Sequence, residues 1–268
     1  MKNILYIFCF IILNSFVVNI ETDAPTPSKQ LRQMKNNAFK KGEMLNFRVH
    51  YGIINAGTAK LEVMTEDKKI GPRNVYHVVS TGSTNSAFDT FYKVRDRFDS
   101  YIDQEALVPW LYTNSQVEGG YTGHKNIAFN HYKDYAKTSE LEIKTPDNIQ
   151  DLVSSYYYAR CLDYTKAKHG EIFTMQTLID NEIVTYHYKF IGREVIDTDF
   201  GKIKCLKFCP ALIKGRVFKH ENDMTVWISD DENKIPVRAE AGLLIGSVKM
   251  DLTSYSGVAN PISFINKK

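Results

Sequence analysis

The chain has 268 residues, of which 43% are hydrophobic, which is enough for a substantial core in a single domain. Its formal net charge is only +3 and the two signs are mixed along the chain, so charge gives no indication of a nucleic-acid partner. Glycine and proline are not enriched, which argues against collagen-like and disordered classes, and the 12% aromatic content favours β-strands.

The N-terminus has the pattern of an export signal. Lys2 supplies a short basic region, and the apolar run Ile4–Val18 is about 15 residues long, which is short for a membrane-spanning helix. We take residues 1–24 as the signal, with a weak cleavage motif at Thr22-Asp23-Ala24; a retained N-terminal anchor is the alternative. No later apolar run is long enough to span a bilayer. The mature chain is therefore expected in the periplasm or elsewhere in a bacterial cell envelope.

Residues 25–41 are polar and contain proline, and we interpret them as a linker. A single β-rich domain is predicted over residues 42–256, beginning with a hairpin of Glu43–Tyr51 and Thr58–Met64 in which apolar and polar residues alternate. Ser83–Phe91 is a short amphipathic piece of one or two helical turns. Further strands are predicted at Val75–Thr81, Val94–Ile102, Leu107–Glu118, Tyr121–Tyr132 and Tyr135–Ile143.

One convincing helix is predicted at Pro146–Leu162, with Thr145 as N-cap and Pro146 at the first helical position. It is apolar nearly all round, which is typical of a buried helix. After it the chain alternates again, and the tail from Gly257 to Lys268 is expected to be loosely held. The later strands are predicted at Glu171–Ile179, Ile183–Ile191, Lys202–Phe208, Arg216–Lys219, Met224–Ser229, Val237–Gly242 and Ser247–Tyr255.

These patterns predict a mainly β fold with one central helix: a curved antiparallel sheet, or a β-barrel or half-barrel, wrapped around that helix. Strand number and shear cannot be read from the pattern, so an open and a closed sheet both remain possible outcomes.

Cysteines and histidines give no indication of a catalytic or metal site. Cys9 lies in the middle of the leader, too early for a lipoprotein cysteine, which leaves Cys161, Cys205 and Cys209. Cys205 and Cys209 are four apart in a predicted strand, roughly 13 Å, and cannot pair unless the strand bends. Either could reach Cys161, so the redox state is left open. No nucleophile motif, phosphate loop or metal-ligand spacing occurs, and we expect no cofactor and assign no catalytic residue.

Two residues of the helix are candidates for a ligand cavity. Arg160 could contact an anion, such as a lipid headgroup or a carboxylate, in the mouth of the barrel; alternatively it caps the helix or pairs with a core carboxylate. Tyr156 begins a run of three tyrosines that point in different directions, since a helix turns about 100° per residue. One of them could offer a stacking site, and plain packing is the alternative.

Four strand residues are further candidates. Arg95 and Arg97 alternate with Asp99 on one strand face and could line a polar cavity wall, or they could form the solvent side of a half-buried strand. Trp110 and Trp227 could wall an apolar cavity, although as core residues they need no ligand.

Several short segments resemble an exported bacterial family of unknown function, DUF3108. The resemblance implies an envelope location and a β-rich fold, and it brings no catalytic residue. The matching segments are Gly42–Phe47, Tyr51-Gly52, Ala56–Ala59, Asp151–Arg160, Val226–Asp230 and Ile235–Arg238.

The pattern Trp-Ile-Ser-Asp followed by Ile-Pro-Val-Arg is also similar to periplasmic lipoprotein carriers of the LolA kind, which are half-barrels that hold acyl chains; this is an analogy of fold. We therefore expect a non-enzymatic exported protein that binds a hydrophobic or amphipathic ligand in a β-barrel cavity. The alternative is a structural or assembly factor that binds another envelope protein along a sheet edge. The third hypothesis is an enzyme with an unrecognised site.

Overall fold

The computed structural model describes residues 29–210, 224–242 and 247–267. The helices and strands described below all belong to one compact unit, Leu31–Lys268. Two sequence-based expectations, the export signal at residues 1–24 and the strand at Arg216–Lys219, lie outside the described residues. Over the part that is described, no helix has the length and apolar character needed to cross a membrane.

Sixteen strands and two short helices make up the described fold. The strands are β1 (Met44–Tyr51), β2 (Ile54–Val63), β3 (Lys68–Ile70), β4 (Arg73–Thr84), β5 (Val94–Asp103), β6 (Pro109–Glu118), β7 (Tyr121–Asn130), β8 (Tyr135–Lys137), β9 (Glu142–Lys144), β10 (Ile172–Ile179), β11 (Glu182–Thr198), β12 (Gly201–Pro210), β13 (Met224–Ser229), β14 (Pro236–Gly242), β15 (Ser247–Ser256) and β16 (Phe264–Lys267). The helices are α1 (Ser86–Asp89) and α2 (Leu152–Arg160).

All strands belong to one antiparallel sheet, whose order is β10-β11-β12-β13-β14-β15-β1-β2-β4-β5-β6-β7-β8-β9. β3 pairs with β4, and β16 pairs with β12. β9 and β10 end the order without pairing with each other, so the curved sheet stays open. The prediction of a mainly β fold in which an antiparallel sheet curves around one helix is confirmed.

Helix α2 is shorter than predicted, because its true N-cap is Asp151 rather than Thr145. The Asp151 carboxylate accepts from the backbone N–H groups of Val153 and Ser154, while the Ser154 hydroxyl accepts from the Asp151 N–H, which completes a capping box. The preceding residue, Gln150, is extended and forms a parallel bridge to Thr177 of β10. That bridge and the cap fix the helix start.

The helix is also less buried than predicted. Val153, Ser154, Tyr157 and Arg160 are buried, whereas Leu152 is 42% exposed. α2 therefore buries one broad face against the sheet rather than its whole circumference.

Two apolar clusters flank α2 on the enclosed side of the sheet. The first joins strands β2 to β8 to the helix through Tyr157, and its fully buried members include Val63, Val78, Ile102, Leu107, Ala136 and Ile149. The second lies under strands β10 to β13 and packs against Ala159, and its buried members are Tyr164, Tyr188, Phe190, Leu206, Phe208 and Ile228. The helix therefore separates two halves of one core.

The two ends of the domain are more ordered than the sequence suggested. Within the predicted linker, Ala38 and Phe39 are buried, and Phe39 stacks edge-on against Tyr157 with ring centroids 4.8 Å apart. The expected loose tail is wrong for residues 257–267. Phe264 begins β16 and packs against a cluster on the outer face of β12, and Asn260 and Asn233 bond to each other through backbone and side chain.

Candidate functional site

An apolar cavity of about 190 Å³ lies between α2 and the strands β10 to β13. We call it the apolar cavity. Its lining combines one face of the helix with the inner face of the sheet, and consists of Ser155, Tyr156, Ala159, Arg160, Tyr164, Met175, Tyr186, Tyr188, Phe208, Pro210, Val226 and Ile228.

Simple periodicity explains why these side chains meet. Tyr156, Ala159 and Arg160 are spaced three and four residues apart, so they share one face of α2. On β13, Val226 and Ile228 alternate with Trp227, so the first two face the cavity and the tryptophan faces away.

Two of the tyrosine hydroxyls at the cavity, those of Tyr164 and Tyr188, lie within hydrogen-bond distance of each other and stay neutral. The Tyr164 hydroxyl donates to the Ala159 carbonyl oxygen at 2.8 Å and lies 3.0 Å from the Tyr188 hydroxyl. Burial raises the pKa of Tyr188 to about 12, so neither proton is released near neutral pH. These two residues therefore present an apolar ring surface without contributing charge.

The charge of Arg160 is neutralised within the protein. Its Nη1 and Nη2 donate to the two carboxylate oxygens of Glu43 at 2.5 and 2.8 Å, and both side chains are essentially inaccessible to solvent. Nε donates to the Asn233 carbonyl oxygen at 2.8 Å, and Nη2 also donates to that of Ala38 at 3.0 Å. Of the two interpretations of Arg160, the structure shows the pairing with a core carboxylate, at a residue that also lines the apolar cavity.

The three consecutive tyrosines of α2 face three directions. Tyr156 lines the apolar cavity, and its hydroxyl donates to the Lys234 carbonyl oxygen at 3.4 Å. Tyr157 is fully buried in the first apolar cluster. Tyr158 faces Arg32, whose guanidinium carbon lies 4.4 Å from the ring centroid. The structure thus brings Tyr156 and Arg160 together at one cavity.

The other sequence-based candidates lie elsewhere. Arg95 pairs with Asp89, and Arg97 pairs with Asp99 on the opposite face of β5 from the enclosed core. Both arginines are exposed, and neither is part of the lining of the apolar cavity.

The two tryptophans also lie away from the apolar cavity, because each indole N–H is held by a carboxylate. Trp110 Nε1 donates to Asp103 at 2.8 Å. Trp227 Nε1 donates to Glu194 at 3.1 Å on the outer face of β13. Neither indole is part of the apolar cavity lining.

A second, polar cavity of about 400 Å³ lies where α2 approaches the edge strand β10; we call it the polar cavity. Sequence reasoning missed it, because its members come from four separated segments and none belongs to a motif. Met175 lines both cavities. The polar cavity is lined by Arg32, Asp147, Asn148, Gln150, Tyr158, Thr174, Met175, Gln176 and Thr185.

The described cysteines, Cys161, Cys205 and Cys209, are free thiols. Burial raises the pKa of Cys161 to about 11 and that of Cys205 to about 12, so both stay protonated near neutral pH. In the ranges that the structure covers, no three histidine, cysteine or acidic side chains are grouped so as to hold a metal ion.

One buried carboxyl group is set apart by its environment. Asp151 caps α2 and accepts from the Ser100 hydroxyl at 2.6 Å, and burial raises its pKa to about 6. Its role here is structural, since it touches neither cavity.

Comparison with known proteins gives a family and a fold. A family model described as "Protein of unknown function (DUF3108)" matches residues 46–253. A β-barrel-like DUF1849 protein from Brucella abortus superposes with a TM-score of 0.53 at 10% identity, covering 82% of this chain and 98% of that one. No curated protein gives a significant match.

Two further solved structures match with TM-scores below 0.5. One, from Parabacteroides distasonis, is described as a candidate lipoprotein and has a TM-score of 0.36 at 10% identity, covering 85% of this chain and 100% of that one. The other, from Bacteroides fragilis, is described as a candidate exported protein with a YmcC-like fold and has a TM-score of 0.34 at 9% identity, covering 85% and 100%.

Proposed function

This chain belongs to the DUF3108 family, and we propose that it is an exported, non-enzymatic protein whose apolar cavity binds the hydrophobic part of an amphipathic ligand. The observation that carries the proposal is the cavity itself, which lies against the central helix and is lined by aromatic and aliphatic side chains.

The size of the cavity suits a short apolar group. An engineered protein cavity of about 150 Å³ accommodates benzene, and this one has a volume of about 190 Å³. Each methylene removed from water contributes about 0.8 kcal/mol, so six of them contribute about 5 kcal/mol before the cost of association. A ring or part of an alkyl chain could therefore bind with useful affinity.

The charges at the cavity support a binding role. Arg160 is held by Glu43, and the Tyr164 and Tyr188 hydroxyls are protonated and bonded to each other. These groups are not arranged to exchange a proton with a ligand near neutral pH. The export pattern at the N-terminus supports placing this activity in the cell envelope.

A matched pair of variants on β13 tests the proposal. Val226→Trp adds bulk to the cavity wall, whereas Thr225→Trp adds the same bulk on the opposite face of the same strand. We expect binding of the uncharged fluorophore N-phenyl-1-naphthylamine to weaken at least tenfold in Val226→Trp and to stay near wild type in Thr225→Trp. Equal affinity in all three proteins would refute the cavity as the site.

A second candidate function, docking of an extended segment of another protein, is favoured by the edge of β10. The backbone carbonyl oxygen of Gln150 accepts from the Leu178 N–H, and the Gln150 N–H donates to the Gln176 carbonyl oxygen. The backbone N–H and carbonyl groups of the even-numbered residues of β10 therefore point toward this edge. Among the strands that the structure describes, only β11 pairs with β10, so the outer side of β10 toward Ile172 has no strand of this set beside it. Thr174→Pro would remove one outward donor without breaking the β11 ladder. Capture of a partner from envelope extracts should then be lost, and should persist in Thr174→Val.

A further inference from the structure

Arg32 places a fixed positive charge at the polar cavity. Its Nε donates to the Ala106 carbonyl oxygen at 2.7 Å and its Nη2 to that of Leu107 at 2.9 Å, while Tyr158 covers one face of the guanidinium. Within the described ranges, no carboxylate forms an ion pair with it. These bonds and the Tyr158 contact hold the guanidinium in place, so the arginine is pre-organised to take an anion at low cost in side-chain entropy.

Gln150 places an unused acceptor at the same cavity. Its side chain is 1% exposed, and its Nε2 donates to the Leu107 carbonyl oxygen at 3.2 Å and to that of Asn148 at 3.0 Å. Its Oε1 is buried without a hydrogen-bond partner. A buried acceptor in this state is costly unless a donor is supplied, and a ligand in the cavity can supply one.

The two groups are neighbours, because Arg32 and Gln150 donate to the same carbonyl oxygen, that of Leu107. One side of the cavity thus favours an anion, and the adjoining side favours a hydrogen-bond donor.

We propose that the polar cavity binds a zwitterionic headgroup that carries a phosphate and a primary ammonium, with the phosphate at Arg32 and the ammonium at the Oε1 atom of Gln150. The apolar chain of the same molecule passes Met175, the residue shared by both cavities, into the apolar cavity. This inference rests on the proposed function and names its ligand class: amphiphiles with a phosphoethanolamine head.

Calorimetric titration with matched ligands tests the inference. Two of the probes are lipids: lauroyl lysophosphatidylethanolamine, and lauroyl lysophosphatidylglycerol, which has the phosphate but no ammonium. The third probe, glycerophosphoethanolamine, is the headgroup without a chain. The fourth is the uncharged N-phenyl-1-naphthylamine. We expect the ethanolamine lipid to bind about tenfold more tightly than the glycerol lipid, and the isolated head to bind far more weakly than either.

Three variants assign the contacts. Arg32→Met should weaken both lipids about 10- to 100-fold, and Gln150→Leu should abolish the preference for ethanolamine over glycerol. Arg97→Met, which removes an exposed arginine from the outer face of β5, is the control and should match wild type. Circular dichroism of each variant shows that it is folded, and Arg97→Met should also bind N-phenyl-1-naphthylamine as wild type does.

The outcomes separate the two claims. Failure of the wild-type protein to bind the apolar fluorophore would overturn the proposed function. Normal fluorophore binding with equal affinity for the two lipids, or with Arg32→Met and Gln150→Leu unchanged, would overturn the headgroup inference alone. Tight binding of glycerophosphoethanolamine without a chain would show that the cavity takes a free soluble head, which also contradicts the lipid assignment.

Discussion

Removing one partner of the ion pair between Glu43 and Arg160 should lower the free energy of unfolding strongly, because the other partner then stays buried and unpaired. Arg160→Met leaves the Glu43 carboxylate, which has no accessible surface, without its counter-ion, and removal of one partner of a buried pair typically costs about 3–5 kcal/mol. It also removes the donor from the Ala38 and Asn233 carbonyl oxygens, at about 1–3 kcal/mol for each buried acceptor left unpaired. Since domains are stable by only about 5–15 kcal/mol, this variant should be close to unfolding.

The conservative change Glu43→Gln keeps the shape but leaves a buried guanidinium uncompensated, and should cost about 3–5 kcal/mol. The double variant should be less destabilised than the two single effects together, by about 2 kcal/mol or more, because neither buried charge then remains. Urea unfolding followed by tryptophan fluorescence measures all four corners of this cycle.

Arg95→Met, which breaks an exposed pair with Asp89, is the matched control and should change stability by about 1 kcal/mol or less. If each single variant at Glu43 or Arg160 lowers the free energy of unfolding no more than this control, or if the cycle shows no coupling, then the buried pair does not stabilise the fold in this way.

Three other outcomes are expected. Burial raises the pKa of Asp151 from 3.8 to about 6, so the folded state binds this proton more tightly than the unfolded state does. The free energy of unfolding should therefore fall by about 3 kcal/mol as the pH rises from about 4 to 6, and then level off. Urea titrations at stepped pH measure this slope, and Asp151→Asn should flatten it. Gly201→Ala should release β16, because the φ of Gly201 is +124° and a Cβ there would lie 2.0 Å from the Asn266 carbonyl oxygen. Amide hydrogen exchange at Phe264–Lys267 should become faster in this variant, whereas Gly120→Ala, where a Cβ meets no atom within 4 Å, should leave it unchanged. Cys205, buried and protonated, should react with a thiol reagent only at the rate of unfolding, whereas a rapid reaction in native buffer would contradict its burial.

Alternation and spacing were sufficient to predict most of the fold. β13 was predicted with its observed ends, and the strands around it were found within a few residues, because their two faces differ clearly in polarity. The start of α2 was wrong, since Thr145-Pro146 and Asp151-Ser154 both carry helix-start signals, and the bridge of Gln150 to β10 decides between them. The region Tyr135–Ile143 proved to be two short strands, β8 and β9, separated by a turn.

The cavities were predictable only in part. Tyr156 and Arg160 could be found because they share one face of a recognisable helix. The partner of Arg160 could be predicted as a core carboxylate but not as Glu43, which is 117 residues away. Arg32 and Gln150 meet through the Leu107 carbonyl, a backbone atom that carries no sequence signal, and so the polar cavity became visible only in three dimensions.

The position of β1 in the sheet has a consequence for the order of folding. β1 is the first of the described strands, yet it pairs along its whole length with β15, so that Met44 lies opposite Ser256. Such a pairing closes a loop of nearly the entire domain, and contacts of this sequence separation slow folding. While the C-terminal strands are still being synthesised, β1 has only β2 beside it and an open edge on the other side. The chain should therefore remain non-native until β15 has been made, and until then the unpaired edge of β1 is open to pairing with the wrong strand.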